Sequence, residues 1–413
     1  MSDLKFSTKA IHTQYLRDDP AGSLHMPVYE TVAYEFGSSH DIEQAFLGRR
    51  PDHIYSRISN PTVEHFERKI RNITGAFAVM ALSSGMAAIS NLALALLSSG
   101  DNFITSKNLF GNTYSLFTST FKPFGLEPRF VDHGNPEEIN NAINEKTRFI
   151  FLESITNPQL EIADISKITG ITNKHNIPLI IDSTLTPPCL FKASDFGVDL
   201  EVISSTKFIS GGATSTGGLI IDYGRFDWSR SETMKDLSQL FGPHALIIKL
   251  RREFYRNLGA CLSPHNAWLQ SIGLETLELR ALKACSNCLD LARFLATRSE
   301  VDQVNYPGLE GSEYYELCKK QFSRPGAVLT FRLKSKEFCF CFMDNLKIIR
   351  RATNLNDNRT LVIHPASTIF SEYSSRKKDE LKVPENMIRL SAGIEDVQDL
   401  VDDIKQAFAK MNF

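Results

Sequence analysis

The chain has 413 residues, more than one ordinary domain holds, so two domains and a terminal arm are expected. Its 42% hydrophobic and 23% charged content is ordinary for a folded globular protein. A formal net charge of −2 removes any electrostatic case for nucleic acid or an anionic membrane as partner.

The opening stretch MSDLKFSTKAIHTQYLRDD has no apolar core of signal-peptide length, and no apolar run reaches membrane-spanning length. Residues 1–60 are rich in Pro, Gly, Tyr and His and carry little periodicity, which predicts an arm packed on a partner subunit. From about residue 76 to 222, short apolar runs alternate with helix-like stretches. The strand candidates are 76–82, 102–106, 128–132, 148–154, 177–183, 199–205 and 217–222, with helices over 86–99 and 136–146 among the connections. Several runs are apolar without alternation, as strands covered on both faces are. The pattern predicts an α/β fold over 61–256: a mostly parallel seven-stranded sheet reached by right-handed crossovers.

The remainder, 257–413, reads as a smaller α+β domain. It offers a long amphipathic helix over 273–299, strands over 327–333, 346–352, 360–366 and 387–393, and a closing helix over 394–411. Seven scattered cysteines form no disulfide framework and suit a reducing cytoplasm. Cys285-x-x-Cys288 falls in the long helical stretch with no second Cys or His pair at metal spacing, so packing is expected and no metal.

Ligands of open α/β sheets lie beyond the carboxyl ends of the strands, so the polar residues there carry the argument. Ser83, Ser84 and Gly85 stand where a strand passes into a helix, a place suited to a phosphate or to a plain N-cap. Ser204, Thr206 and Lys207 follow another strand; hydroxyls can bind phosphate oxygens, and a desolvated lysine can form an imine. A lysine there is otherwise a solvated loop residue. Asp182 ends a fully apolar strand, either as an N-cap or as a buried carboxylate in need of a cation. Glu153 and Asn157 end a fourth, where each could also cap the turn at Asn157-Pro158.

Together these segments resemble the Cys/Met-metabolism family of fold-type I pyridoxal-phosphate enzymes. The most specific stretches are YSRISNPT (55–62), SSGMAAI (83–89), ESITNP (153–158), IIDST (180–184) and SSTKF (204–208). The resemblance runs from residue 27 to 396. It implies a transferase fold in which Lys207 holds the cofactor as a Schiff base and shuttles protons, with Asp182 paired to the pyridine nitrogen. Gly85, Met86, Ser204 and Thr206 match the phosphate cradle, and Tyr55 and Arg57 match residues that reach a neighbouring subunit's site. Arg389 matches the arginine gripping the substrate α-carboxylate, a task suited to a planar guanidinium. Glu153, Asn157 and Asn354 are expected beside the substrate, and Tyr55 is a further proton-transfer candidate. A homotetramer built from site-sharing dimers is implied as well.

Phe110 takes the place of the family's ring-stacking tyrosine, which keeps the stacking and loses a phenol; Ile203 stands where a histidine is common. GLETLELR (273–280), GRFDWSRS (224–231) and RRATNLNDNRTLVIHPAST (350–368) resemble the O-acetylhomoserine sulfhydrylase branch, in which Asn354 replaces the serine of lyases and cystathionine synthases. A longer insertion common after residue 230 in that branch is absent. The resemblance implies γ-replacement on O-acetylhomoserine by a sulfide-type donor, giving homocysteine and acetate for methionine biosynthesis. The alternatives are cystathionine γ-synthase, a methionine or cystathionine γ-lyase and, outside catalysis, an idle cofactor-binding protein.

Overall fold

The computed structural model describes residues 4–13 and 19–411, so residues 1–3 and 14–18 of the expected arm lie outside the described residues. Two sheets organise it. The larger comprises β1 (Ala78–Leu82), β2 (Asn102–Ser106), β3 (Glu127–Val131), β4 (Thr147–Glu153), β5 (Leu179–Asp182), β6 (Leu200–Ile203) and β7 (Gly218–Asp222). Their order is β1-β7-β6-β5-β4-β2-β3, and only β7 runs against its neighbours. The smaller comprises β8 (Gln303–Asn305), β9 (Val328–Arg332), β10 (Arg350–Arg351), β11 (Leu361–Ile363) and β12 (Met387–Ser391), in the order β10-β11-β12-β9-β8. The expected α/β architecture is therefore present, with the smaller sheet towards the C-terminus.

The apolar runs have their reason in the layers. On β5, Ile180 packs with Phe103, Phe149 and Leu246 on one face, while Leu179 and Ile181 pack with Ile104, Ile150 and Ile168 on the other. Side chains of a strand alternate between faces, so a strand buried on both has no polar positions to show. A third apolar cluster joins the sheets, bringing Ile203, Phe208 and Leu219 against Leu274, Leu329 and Ile388. It fixes the two sheets against each other.

Three expectations for the C-terminal half need correction. The strand expected over 346–352 shrinks to Arg350–Arg351, because the N–H groups of Lys347, Ile348 and Ile349 donate to the Asp403 carboxylate at 2.8, 2.9 and 2.9 Å. The long helix expected from 273 is two, Pro264–Glu275 and Leu277–Ala296, broken at Thr276. Arg280 Nη2 takes the Gly273 carbonyl at 2.6 Å, which competes with continuation of the first helix. The three-residue edge strand β8 was not anticipated, being too short for a periodic signal. The arm region also holds short helices, Phe6–Ile11 and Ser39–Phe46. No helix among the described residues is long and apolar enough to cross a membrane.

Because β1, β4, β5 and β6 are parallel, their carboxyl ends share one edge of the sheet. The β1 end is held closely: a Cβ on Gly218 would fall 2.0 Å from the Ser84 carbonyl oxygen. A Gly218→Ala substitution must displace backbone, and we expect a cost of at least about 2 kcal/mol, read as a lower denaturation midpoint. An unchanged midpoint would contradict this packing.

Candidate active site

The strand ends and the smaller sheet enclose a cavity of about 200 Å³. Lys207, Asp182, Glu153, Asn157, Phe110, Gly85, Met86, Ser204, Thr206 and Arg389 all line it. Asn354 reaches the same place by hydrogen bonding. Tyr55 and Arg57 do not line it: Tyr55 is 40% exposed, and Arg57 stacks over its ring at 5.3 Å while donating to the Arg256 carbonyl at 2.7 Å.

β6 ends at Ile203, and the chain turns at once through Ser204–Lys207. Lys207 Nζ donates to Asn354 Oδ1 at 2.8 Å. Burial, and next the nearby Arg389 guanidinium, lower the lysine to about 8, so the neutral amine is far more populated near neutral pH than for an exposed lysine. The following backbone is clamped. Arg280 Nη1 donates to the Phe208 carbonyl at 2.7 Å, and Asn358 N–H donates to the Gly211 carbonyl at 2.7 Å. Sequence reasoning missed Arg280, which lies 73 positions after Lys207 and shares no local pattern with it.

Across the cavity, Ser84 caps the helix Gly85–Leu96, its hydroxyl accepting from Ala87 N–H at 3.1 Å. A Cβ on Gly85 would lie 2.7 Å from Ser204 Cβ, so the helix start and the β6 turn form one narrow cradle that only glycine allows. The Thr206 hydroxyl donates to the Gly217 carbonyl at 3.2 Å and accepts from its N–H at 3.0 Å.

The anionic side consists of two carboxylates in register. Glu153 on β4 pairs with Asp182 on β5. Asp182 Oδ1 accepts from Thr184 N–H at 2.9 Å; burial raises its pKa, and no cation offsets that burial. Glu153, expected beside the substrate, lines the cavity and accepts backbone N–H donors on both oxygens: Phe110 at 2.7 Å and Asn157 at 3.1 Å. It thus fixes Phe110, which lines the cavity, and Asn157, which touches Arg389. Burial first, and then Asp182, push it up to about 8 against those two bonds.

Arg389, 2% exposed at the centre of β12, donates from Nη1 to Asn157 Oδ1 at 3.2 Å and from Nη2 to the Asn354 carbonyl at 2.9 Å. Its Nε has no hydrogen-bond partner, and burial lowers it to about 10. A buried guanidinium with no carboxylate beside it is suited to an incoming one.

Glu153 keeps its proton to about pH 8 in the folded protein and would lose it near pH 4.3 unfolded. The native state therefore holds the extra proton between those values, and stability falls as pH rises through them. A Glu153→Gln variant cannot ionise. In denaturant titrations of the cofactor-free protein, its stability relative to the parent should climb with pH by up to about 1.4 kcal/mol per unit. Parallel curves would contradict the assignment.

The cavity fits pyridoxal phosphate on its own chemistry. The glycine-narrowed helix start and the Ser204 and Thr206 hydroxyls suit a phosphate, Asp182 lacks a cation, Phe110 offers an apolar face, and Lys207 supplies an amine. Comparison with known proteins agrees. The putative O-acetylhomoserine (thiol)-lyase of Campylobacter jejuni subsp. jejuni, solved with a pyridoxyl-lysine phosphate, superposes with a TM-score of 0.94 at 34% identity, covering 98% of this chain and 100% of that one. The structure of O-acetylhomoserine sulfhydrylase from Wolinella succinogenes is 45% identical, with a TM-score of 0.77 over 85% of this chain and 98% of its own. L-Methionine gamma-lyase of Pseudomonas putida is 35% identical over 404 residues, 97% of this chain and 96% of that protein. Residues 7–409 match the family of Cys/Met metabolism PLP-dependent enzymes, and the chain belongs to that family, with pyridoxal phosphate as its cofactor.

Proposed function

We propose that the protein catalyses γ-replacement on an O-acylated homoserine, O-acetylhomoserine foremost, with a sulfide-type donor, giving homocysteine and acetate. The observation that carries this reading is the part of the cavity wall that this chain supplies: its described lining residues include no Tyr, His or Cys, and Phe110 lines it where the family carries a tyrosine. Acetate, a much weaker base than a thiolate or an amine, departs without a dedicated acid, so a wall with Phe110 in place of a phenol suits an acyl ester. The similarity to O-acetylhomoserine sulfhydrylases supports the same choice.

Bound here, pyridoxal phosphate supplies the electron sink for charge developing at the substrate α-carbon. Gly85 and Met86 through backbone N–H groups, with the Ser204 and Thr206 hydroxyls, hold its phosphate. Asp182 keeps the ring nitrogen protonated. Arg389 binds the substrate α-carboxylate, steadied by Asn157. Lys207, held on Asn354, takes the α-proton and carries protons between carbons. The apolar walls of Ile89, Ile155, Leu185 and Leu355 keep water from the γ-carbon, so the sulfur nucleophile meets it first.

The exposed Tyr55 and Arg57 are assigned to the site of a second copy. Tyr29, Val32, Phe46 and Leu47 are exposed apolar residues of the same region, which supports an interface there. Residues 1–60 are then the arm, 61–256 the cofactor domain and 257–413 the smaller domain, in a homotetramer of site-sharing dimers. All seven cysteines are free, which supports the cytoplasm.

Incubation with O-acetylhomoserine, with and without sulfide, tests the reading. Homocysteine formed only with sulfide is expected, and borohydride reduction should place the cofactor label on the Lys207 peptide. 2-Oxobutanoate and ammonia without sulfide would favour a γ-lyase, the reading that the methionine gamma-lyase relative supports. A label elsewhere, or none, would remove the catalytic assignment and leave an idle binding protein. Phe110→Tyr should leave γ-elimination within about twofold, since acetate departs without acid help. A large gain would show that the missing phenol limits the enzyme.

A further inference from the structure

Asp357 lies behind the cavity wall, 4% exposed and outside the lining, where it touches no reacting group. Its Oδ2 accepts from Asn354 Nδ2 at 3.1 Å, and its Oδ1 accepts from Arg359 N–H at 3.0 Å and Arg359 Nη1 at 3.4 Å. The other end of the Asn354 amide faces Lys207 Nζ. We propose that Asp357 is a positioning residue: by holding the Asn354 amino end, it fixes the amide oxygen towards Lys207.

The chemistry of an amide makes this orientation matter. Its oxygen only accepts and its nitrogen only donates. With the oxygen towards Lys207, the lysine spends an N–H on the contact, and its lone pair stays free for the α-proton. Reversed, the Asn354 amino group would repel the ammonium form and donate into the lone pair of the neutral form, spoiling the base in both states. A carboxylate on the far side makes the reversal costly, because the amide oxygen would then face an anion. Lysine has a long, freely rotating stem, so a single oriented partner decides where its nitrogen rests.

The turn carrying these residues is anchored independently of Asp357. Asn356 N–H donates to Ser391 Oγ at 2.7 Å, Asn356 Nδ2 to the Thr184 carbonyl at 3.3 Å, and Asn358 N–H to Gly211. The charged groups around Lys207 are Arg389 from β12, Asp182 and Glu153 from β5 and β4, and Arg280 on the following backbone. Asp357 is the acidic group acting on the lysine from the smaller sheet's side. The inference rests on the reading of Lys207 as the proton carrier.

Asp357→Asn keeps the shape and can still accept the Arg359 N–H. In cofactor-free protein, the pH dependence of Lys207 modification by an amine-reactive reagent, followed by peptide mass spectrometry, reports the lysine's own midpoint. We expect Asp357→Asn to lower it by about one unit. In an Asn354→Ala background the same change should shift it by less than half as much; Asn354→Ser serves if that variant does not fold. Arg359→Ala should leave the midpoint in place. In the holoenzyme, Asp357→Asn should lower kcat about tenfold with KM retained, and the loss should not add to that of Asn354→Ala. Equal shifts in both backgrounds, no shift in the parent background, or a shift with Arg359→Ala would each overturn the proposal. Borohydride mapping to another lysine would refute the assignment of the proton carrier while leaving the midpoints measurable, so the two failures are distinguishable.

Discussion

The hydrogen bond from Lys207 Nζ to Asn354 Oδ1 joins the larger sheet to the smaller one across the cavity. Lys207 belongs to the turn after β6, and Asn354 to the loop between β10 and β11. Neither sheet could hold the amine alone. The larger one supplies the backbone, pinned by Arg280 and Asn358, and the smaller one supplies Asn354 as the polar partner of the side chain. Burial at this seam lowers the lysine to about 8, well below an exposed lysine.

The same seam stores unfavourable electrostatics. Glu153 and Asp182 sit side by side on adjacent parallel strands, and burial raises both. The fold accommodates them by giving each a different task. Glu153 is satisfied by two backbone N–H groups and organises Phe110 and Asn157, whereas Asp182 faces the cavity without a cation. On the opposite face of the sheet, Glu201 accepts from Ser183 and from Tyr223 at 2.6 Å, and is pushed up to about 7 by burial. Arg389 is the mirror case, a buried cation without an anion. Burying Asp182 and Arg389 without a partner of opposite charge costs stability in the protein alone.

Asn354 connects these parts. Its side chain meets Lys207, its backbone carbonyl meets Arg389, and its amino end meets Asp357. Lys207 and Arg389 are thus tied to one residue, so the amine and the guanidinium of the cavity share a common frame. Such a frame needs a rigid support, which the cluster between the sheets supplies.

The amino-acid sequence by itself determined most of the larger sheet. β2 was readable to the residue, and the other six strands to within one or two positions at most ends, because strands buried on both faces appear as uninterrupted apolar runs. It also determined which polar residues stand at the strand ends, and hence Lys207, Asp182 and the cradle as candidates. Only the tertiary structure decided what these residues touch. Asp403 draws three N–H groups from the segment expected as a strand, Arg280 takes the Gly273 carbonyl where the long helix breaks, and Glu153 accepts two backbone N–H groups. Asp403 and Phe110 lie tens of residues from the groups they meet, while Arg280 is seven residues from Gly273 and Asn157 four from Glu153. Periodicity reports which face of an element is apolar, a local property; hydrogen-bond partners across a seam depend on which strands pair and how two sheets dock, and no local pattern encodes that.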